Sequence, residues 1–96
     1  MSALAGTFTP SNVNVAATST SVLPANAARR YLLLVNNSDT TIYVDPNGGT
    51  ASTSTGLPLF ANGGYLELKG DEVPPGAITA IHGSSGTKSL RVVYGQ

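Results

Sequence analysis

A single histidine, His82, and five carboxylates, Asp39, Asp45, Glu67, Asp71 and Glu72, are the side chains of this 96-residue chain best suited to proton transfer near neutral pH. Nucleophilic hydrolysis needs a serine or cysteine, a base, and an acid that orients the base, all converging in space. The chain has many serines, no cysteine and that one histidine. His82 falls at the expected end of a strand before Gly83-Ser84-Ser85-Gly86, where an exposed or turn-bonded imidazole accounts for it. Paired carboxylates for glycoside hydrolysis would come from the five acids, most of which fall in turn sequences, where carboxylates ordinarily accept from backbone amides. Asp71-Glu72, and Asp45 beside Asn47, offer the oxygen ligands calcium takes, but without the Asp-x-Asp-x-Asp-Gly spacing that encloses the ion. The glycine pairs in Asn47-Gly48-Gly49 and Asn62-Gly63-Gly64 are not followed by helix-forming segments, so no helix N-terminus is at hand to hold a phosphate. The chain therefore reads as a non-enzyme, with no catalytic residue, no cofactor and no metal ligand expected.

Binding chemistry is equally sparse. Charged residues make up 10% of the chain and the formal net charge is zero, so no basic surplus exists to neutralise a phosphate backbone, and nucleic acid is not an expected partner. Arg29-Arg30 is the one basic cluster; it either pairs with acids on a neighbouring subunit or caps a sheet edge in solvent and discourages edge pairing. Tyr31, Tyr43, Tyr65 and Tyr94 are the residues from which a sugar-stacking platform would be built, yet each falls within an expected strand, where an aromatic packs against the core or a sheet face. The absence of cysteine excludes disulfides and thiolate metal sites. Residues 1–10 lack a basic and then apolar leader pattern, and no run approaches the roughly 20 apolar residues that span a bilayer. No membrane partner is expected, and synthesis and retention in the cytosol, or within an assembly, is the expected course.

The elements that would position these residues are strands. Tyr31-Leu32-Leu33-Leu34-Val35 is too short for a free-standing helix and is bounded by Arg29-Arg30 and Asn36-Asn37-Ser38-Asp39, which predicts a strand covered on both faces. Thr41 to Val44 follows it as the second arm of a β-hairpin. Val13, Val15 and Ala17 alternate with polar residues and run on to Val22-Leu23-Pro24, giving one long edge strand or two short ones. Asp45-Pro46-Asn47-Gly48-Gly49 closes the second hairpin strand, and Thr50 to Gly56 reads as a Ser/Thr-rich surface loop. Leu57 to Phe60, broken by Pro58, predicts a short edge strand. Tyr65 to Lys69, Ala77 to His82 and Ser89 to Tyr94 complete about seven strands. The expected fold is all-β: a small single-domain antiparallel β-sandwich or jelly-roll-like barrel over residues 13–96, with residues 1–12 as an extended N-terminal arm or tail.

Arg29 to Val44, then Gly63-Gly64-Tyr65-Leu66-Glu67-Leu68, then Val73-Pro74-Pro75-Gly76-Ala77-Ile78, then Ser85 to Val92, resemble in their order of strands and turns the small virion structural proteins of tailed bacteriophages. The likeness is to their head decoration or cement proteins and head or tail accessory proteins, and it covers Val22 to Gly95. It implies a compact β-domain that binds the outer surface of an assembled head, contacts the major capsid protein at symmetry-related sites, forms a homo-oligomer with a trimer favoured, and stabilises the shell. The capsid surface of the virion is then the expected location, after synthesis in the host cytoplasm. Leu4, Phe8 and Pro10 in the leader, with Arg29 and Arg30, are the expected capsid or subunit contacts. The alternative is a β-module on a head or tail fibre that holds host surface glycans with its loops Thr50 to Gly56 and Gly83 to Lys88.

Overall fold

Eight strands are laid down by short apolar alternations: β1 (Phe8–Val15), β2 (Thr20–Leu23), β3 (Tyr31–Asn36), β4 (Ile42–Asp45), β5 (Leu57–Leu59), β6 (Tyr65–Lys69), β7 (Ile78–His82) and β8 (Lys88–Gly95). They belong to a computed structural model that describes residues 8–96. The strands form two four-stranded antiparallel sheets, β1-β8-β3-β6 (sheet A) and β2-β7-β4-β5 (sheet B). The period of two sorts side chains cleanly between faces. On β3, Leu32, Leu34 and Asn36 are buried while Tyr31, Leu33 and Val35 are half-buried. On β7, Ile78, Ala80 and His82 face in, and Thr79 and Ile81 face out.

The inner faces meet in a single core of Leu32, Leu34, Leu90 and Val92 from sheet A against Ile42, Val44, Leu59, Ile78 and Ala80 from sheet B, closed at the sides by Val15, Val22, Leu23 and Val73. Each fully buried aliphatic side chain contributes about 1.5–3 kcal/mol of transfer free energy, which is why a chain of this size holds a layered structure with so few aromatics inside.

Strand order follows a simple rule: β1 pairs with β8, β2 with β7, β3 with β6 and β4 with β5. That is a long hairpin of strands rolled onto itself, the jelly-roll order. The two sheets stay open, with β1 and β6 at the edges of sheet A and β2 and β5 at those of sheet B, so the fold is a sandwich and not a closed barrel. Pro10 on β1 and Pro58 on β5 blunt two of the four edges, since proline has no N–H to offer a further strand.

Three expectations change. β3 and β4 are not the arms of a hairpin: the turn after Asn36 carries the chain from sheet A to sheet B. Among the described residues β3 is covered on one face only, with Tyr31, Leu33 and Val35 half-buried on the outer face of sheet A. The domain also begins earlier than residue 13, because Phe8 to Asn12 form the first five residues of β1, paired with Gly95 to Arg91 of β8. Phe8 and Pro10, expected in a detached arm, are thus part of the sheet, and the expected contact Leu4 lies outside the described residues.

Candidate functional site

The buried polar residues are Arg29, Asn36 and His82. Each is engaged by loop backbone. His82 is placed by β7 on the inner face; its Nδ1 accepts the Ser84 N–H at 3.1 Å, which leaves Nε2 as the protonated nitrogen that donates to the Gly86 carbonyl at 2.7 Å. The imidazole is turn-bonded, as one of the two sequence readings had it, and buried rather than exposed. With both nitrogens engaged, it has no lone pair facing solvent for a substrate proton.

Arg29 is 3% exposed, not a solvent cap on a sheet edge. Its Nη1 donates to the carbonyls of Pro74 (3.0 Å) and Gly76 (3.3 Å) and its Nη2 to that of Pro24 (2.6 Å), while Nε has no partner. One guanidinium thereby ties the loop before β3 to the loop before β7. Burial lowers its pKa from the ordinary arginine value, with Tyr94 acting in the opposite direction. A cleft beside it is lined by Leu23, Pro24, Asn26, Tyr94 and Gln96, but the guanidinium fork faces carbonyls and is closed to an anion. Arg30 points outward and approaches Asp71 at 3.8 Å with both groups exposed, a pairing of small energetic weight.

Asn36 has no counterpart among the residues singled out from sequence. Its Nδ2 donates to Thr40 O and Leu59 O, both at 2.8 Å, and its Oδ1 accepts from Ser38 N (3.0 Å) and Ser38 Oγ (2.6 Å). The full hydrogen-bonding capacity of the amide is used, and it fastens the end of β3 in sheet A to β5 in sheet B.

The carboxylates behave as turn acids. Asp45 accepts the Asn47 N–H at 3.0 Å, Glu72 accepts the Lys69 N–H at 3.2 Å, and Asp39 accepts from Lys88 Nζ at 3.1 Å and Thr40 Oγ1 at 3.0 Å. The Lys88 contact, then Thr40, holds the Asp39 carboxyl below its usual pKa. Among the described residues no three His, Cys, Asp or Glu side chains gather where a metal ion could be held, and no helix is long and apolar enough to cross a membrane.

What remains is surface, and the two sheets differ in what crosses it. The outer face of sheet B is partly covered by the connection from β4 to β5, with Tyr43, Thr79 and Ile81 half-buried and Ser21 and Pro58 toward its edges exposed. Thr79 Oγ1 donates to Gly49 O at 2.9 Å, the Ala51 N–H donates to Ser19 Oγ at 3.0 Å, and Ala51 is buried. Gly56 lies so close to β4 that a Cβ there would sit 2.8 Å from Tyr43 Cβ and 2.8 Å from Ser52 O. The Ser/Thr-rich surface loop expected over Thr50 to Gly56 is at the surface, with Thr50, Thr53, Ser54 and Thr55 exposed, and is tied to β7, to β4 and to Ser19 just ahead of β2.

The outer face of sheet A has no such cover among the described residues. Register places its side chains in rows across β1, β8, β3 and β6: Phe8, Gly95, Tyr31, Lys69; then Pro10, Val93, Leu33, Glu67; then Asn12, Arg91, Val35, Tyr65. Gly95 contributes no side chain to the first row, and Phe8 and Tyr31 meet above it edge to face, centroids 5.3 Å apart at 71°. The Tyr31 hydroxyl donates to Glu67 Oε2 at 2.6 Å, and this bond, with burial and the carboxylate's charge, raises the phenol's pKa above its ordinary value. Tyr65 is 67% exposed. Shallow depressions on the face are lined by Phe8, Tyr31, Glu67, Lys69 and Val93, and by Pro10, Asn12, Arg91 and Val93. Of the residues expected to make contacts, the structure brings Phe8 and Pro10 onto this face and leaves Arg29 and Arg30 away from it.

No protein-family model matches the chain, and no curated protein matches it in sequence. Among solved structures, a chain from Bacillus endospore appendages, described as a novel family of disulfide-linked pili, aligns over 95% of this chain and 89% of its own, at 13% sequence identity and a TM-score of 0.41.

Proposed function

We propose that this chain is a non-catalytic assembly protein, a decoration module that binds the outer surface of an assembled phage head through the major capsid protein and stabilises it. The observation that supports this most is the division of labour among its polar groups. His82, Arg29 and Asn36 are engaged in fixing loops, whereas an extended sheet face of aromatic and aliphatic side chains has nothing laid over it among the described residues. Such a molecule is equipped to lie against another macromolecule and has no group poised to transform a small one. Jelly-roll domains serve in viral shells and in lectins, an analogy of fold that agrees with the reading without deciding it.

The physics of the role is mass action. A domain that binds only the assembled lattice adds its binding free energy to that lattice, and repetition over many sites makes a modest contact strong in sum. The test is to mix the purified protein with heads that lack it and to follow co-sedimentation and heat resistance. Saturable binding that raises the temperature at which heads rupture is expected; heads that neither bind the protein nor gain heat resistance overturn the proposal.

A second reading has one specific observation in its favour. Phe8, Tyr31 and Tyr65 share a face with the hydrogen-bonding carboxylate of Glu67, the combination from which a sugar-stacking platform is made. A glycan-binding module would retain labelled oligosaccharides on an array and lose them on Tyr31→Ala, whereas a decoration protein gives no signal.

A further inference from the structure

We propose that copies of this chain associate with one another through the outer face of sheet A, with Arg91 of one copy against Glu67 of the next. The proposal concerns the protein on its own; a head that bound this same face would compete with association, so the two are tested separately.

Four observations carry it. The first is size. Four strands about 4.8 Å apart, paired over five to eight residues at about 3.3 Å each, give a face on the order of 400 Å² in projection, whose apolar part is the half-buried Tyr31, Leu33, Val35 and Val93 with the more exposed Phe8, Pro10 and Tyr65. Two such faces pressed together bury on the order of 1,000 Å² in total, near the lower bound for a specific interface.

The second is composition. Tyr31, Leu33, Val35 and Val93 occupy the middle of the face, with Phe8, Pro10 and Tyr65 toward its edges. An aromatic and aliphatic centre with a charged rim is the pattern of an interface core. The outer face of sheet B, built on the same pleat, is partly covered by its own loop, whereas no loop of the described residues crosses that of sheet A.

The third is charge. The charged side chains of the face are Arg91, Glu67 and Lys69. Glu67 accepts from Tyr31 and has Lys69 4.0 Å away, whereas Arg91 makes no ion pair among the described residues. A carboxylate can accept from more donors than these.

The fourth is placement. Arg91 lies in register with Val35, and Glu67 with Leu33. They therefore sit two strands and one row apart, about 12 Å, on opposite sides of β3. A two-fold axis lying in the face and passing between Leu33 and Val35 exchanges the two positions. Each copy's arginine then meets the other's glutamate, and Pro10 and Val93 fall on Tyr31 and Leu33 of the other copy. This one axis thus sets opposite charges together and apolar side chains together, as an isologous contact requires. A partner of uniform charge, or a glycan, would not need cation and anion disposed this way.

The experiment is sedimentation velocity on the full chain over a dilution series centred on about 10 µM, where a weak contact dissociates, with Arg91→Glu, Glu67→Arg and the double variant alongside. The wild type is expected to gain mass with concentration. Each single variant should associate at least ten-fold more weakly, because it places like charges together, and the double variant should recover most of the loss. Val93→Lys, which inserts a charge into the apolar centre, should abolish association while the far-ultraviolet spectrum of the fold is unchanged. A chain that stays monomeric across the series, single variants that associate like the wild type, or a double variant no better than either single would each overturn the proposal.

Discussion

The outer faces of the two sheets are built on the same pleat and meet different fates. Sheet B is partly covered by its own chain: residues 46–56 turn back over β7 and β4, held by Ser19, Thr79 and the close approach of Gly56 to Tyr43. Sheet A is left with Phe8, Pro10, Val93, Leu33, Val35 and Tyr65 outward. The difference shows why the proposed partner is placed on sheet A: of the two outer faces, it is the one that no loop of the described residues crosses, and a contiguous exposed apolar surface is where an interaction is sought first.

The largest expected effect separates the two sides of one strand. Leu34 and its neighbour Leu33 are alike in size and differ in which face of β3 they occupy. Leu34→Ala should cost about 3 kcal/mol in urea unfolding, by the loss of transfer free energy and the cavity left behind. Leu33→Ala at dilutions where the protein is monomeric should cost under about 1 kcal/mol, as expected of a partly exposed site. Equal losses would mean that sheet A is covered on both sides after all.

Removing the cover from sheet B comes next. Gly56→Ala places a Cβ 2.8 Å from Tyr43 Cβ and from the Ser52 carbonyl, and the loop must lift, at about 2 kcal/mol. Accelerated proteolytic nicking within residues 49–56, ahead of global unfolding, checks this. Ser19→Ala removes only the acceptor of the Ala51 N–H and should cost about 1 kcal/mol, with the same nicking pattern at a lower rate. If either variant leaves the loop as protected as before, the cover is held by something other than these contacts.

The smallest effect lies on sheet A. The Tyr31 phenol, bonded to Glu67, has a raised pKa in the folded chain. Its contribution to stability is fully present below the unfolded value of 10.0 and is lost as pH rises through the folded value. Ultraviolet titration should show one late-ionising tyrosine that moves down in Glu67→Gln. An unchanged titration would place the hydroxyl away from the carboxylate.

Strand positions were largely legible in the sequence because the period of two is a local signal. Tyr65 to Lys69 is the strand expected, and Ala77 to His82 and Ser89 to Tyr94 differ from β7 and β8 by a residue or two at their ends. Which sheet a strand joins is a non-local fact. Asn37-Ser38-Asp39 announces a change of direction, and nothing in those residues distinguishes a hairpin from a passage between sheets. The deciding contact is the Asn36 side chain on Leu59 O, made 23 residues away. Arg29 was misplaced because arginines are mostly exposed. A signal did exist: Pro24, Pro74 and Pro75 crowd two loops with carbonyls, and proline supplies no N–H to meet them, so a buried donor was called for. The face that now matters most was hidden in plain alternation. Tyr31, Leu33 and Val35 are as apolar as the core residues between them, and hydrophobicity alone cannot say which half of a continuous run meets its own chain and which half meets another.

The rolled pairing of β1 with β8 has a kinetic consequence. β8 is the central strand joining β1 to β3, so sheet A cannot close until β8 has been synthesised and has threaded between strands made long before it. Contacts of such sequence separation fold slowly. Until then Phe8, Tyr31 and Val93 are scattered along the chain and the outer face of sheet A is incomplete. Under the association proposed above, a truncated or unfinished copy would lack the joining face, and the order of the strands would act as a check on completeness before assembly.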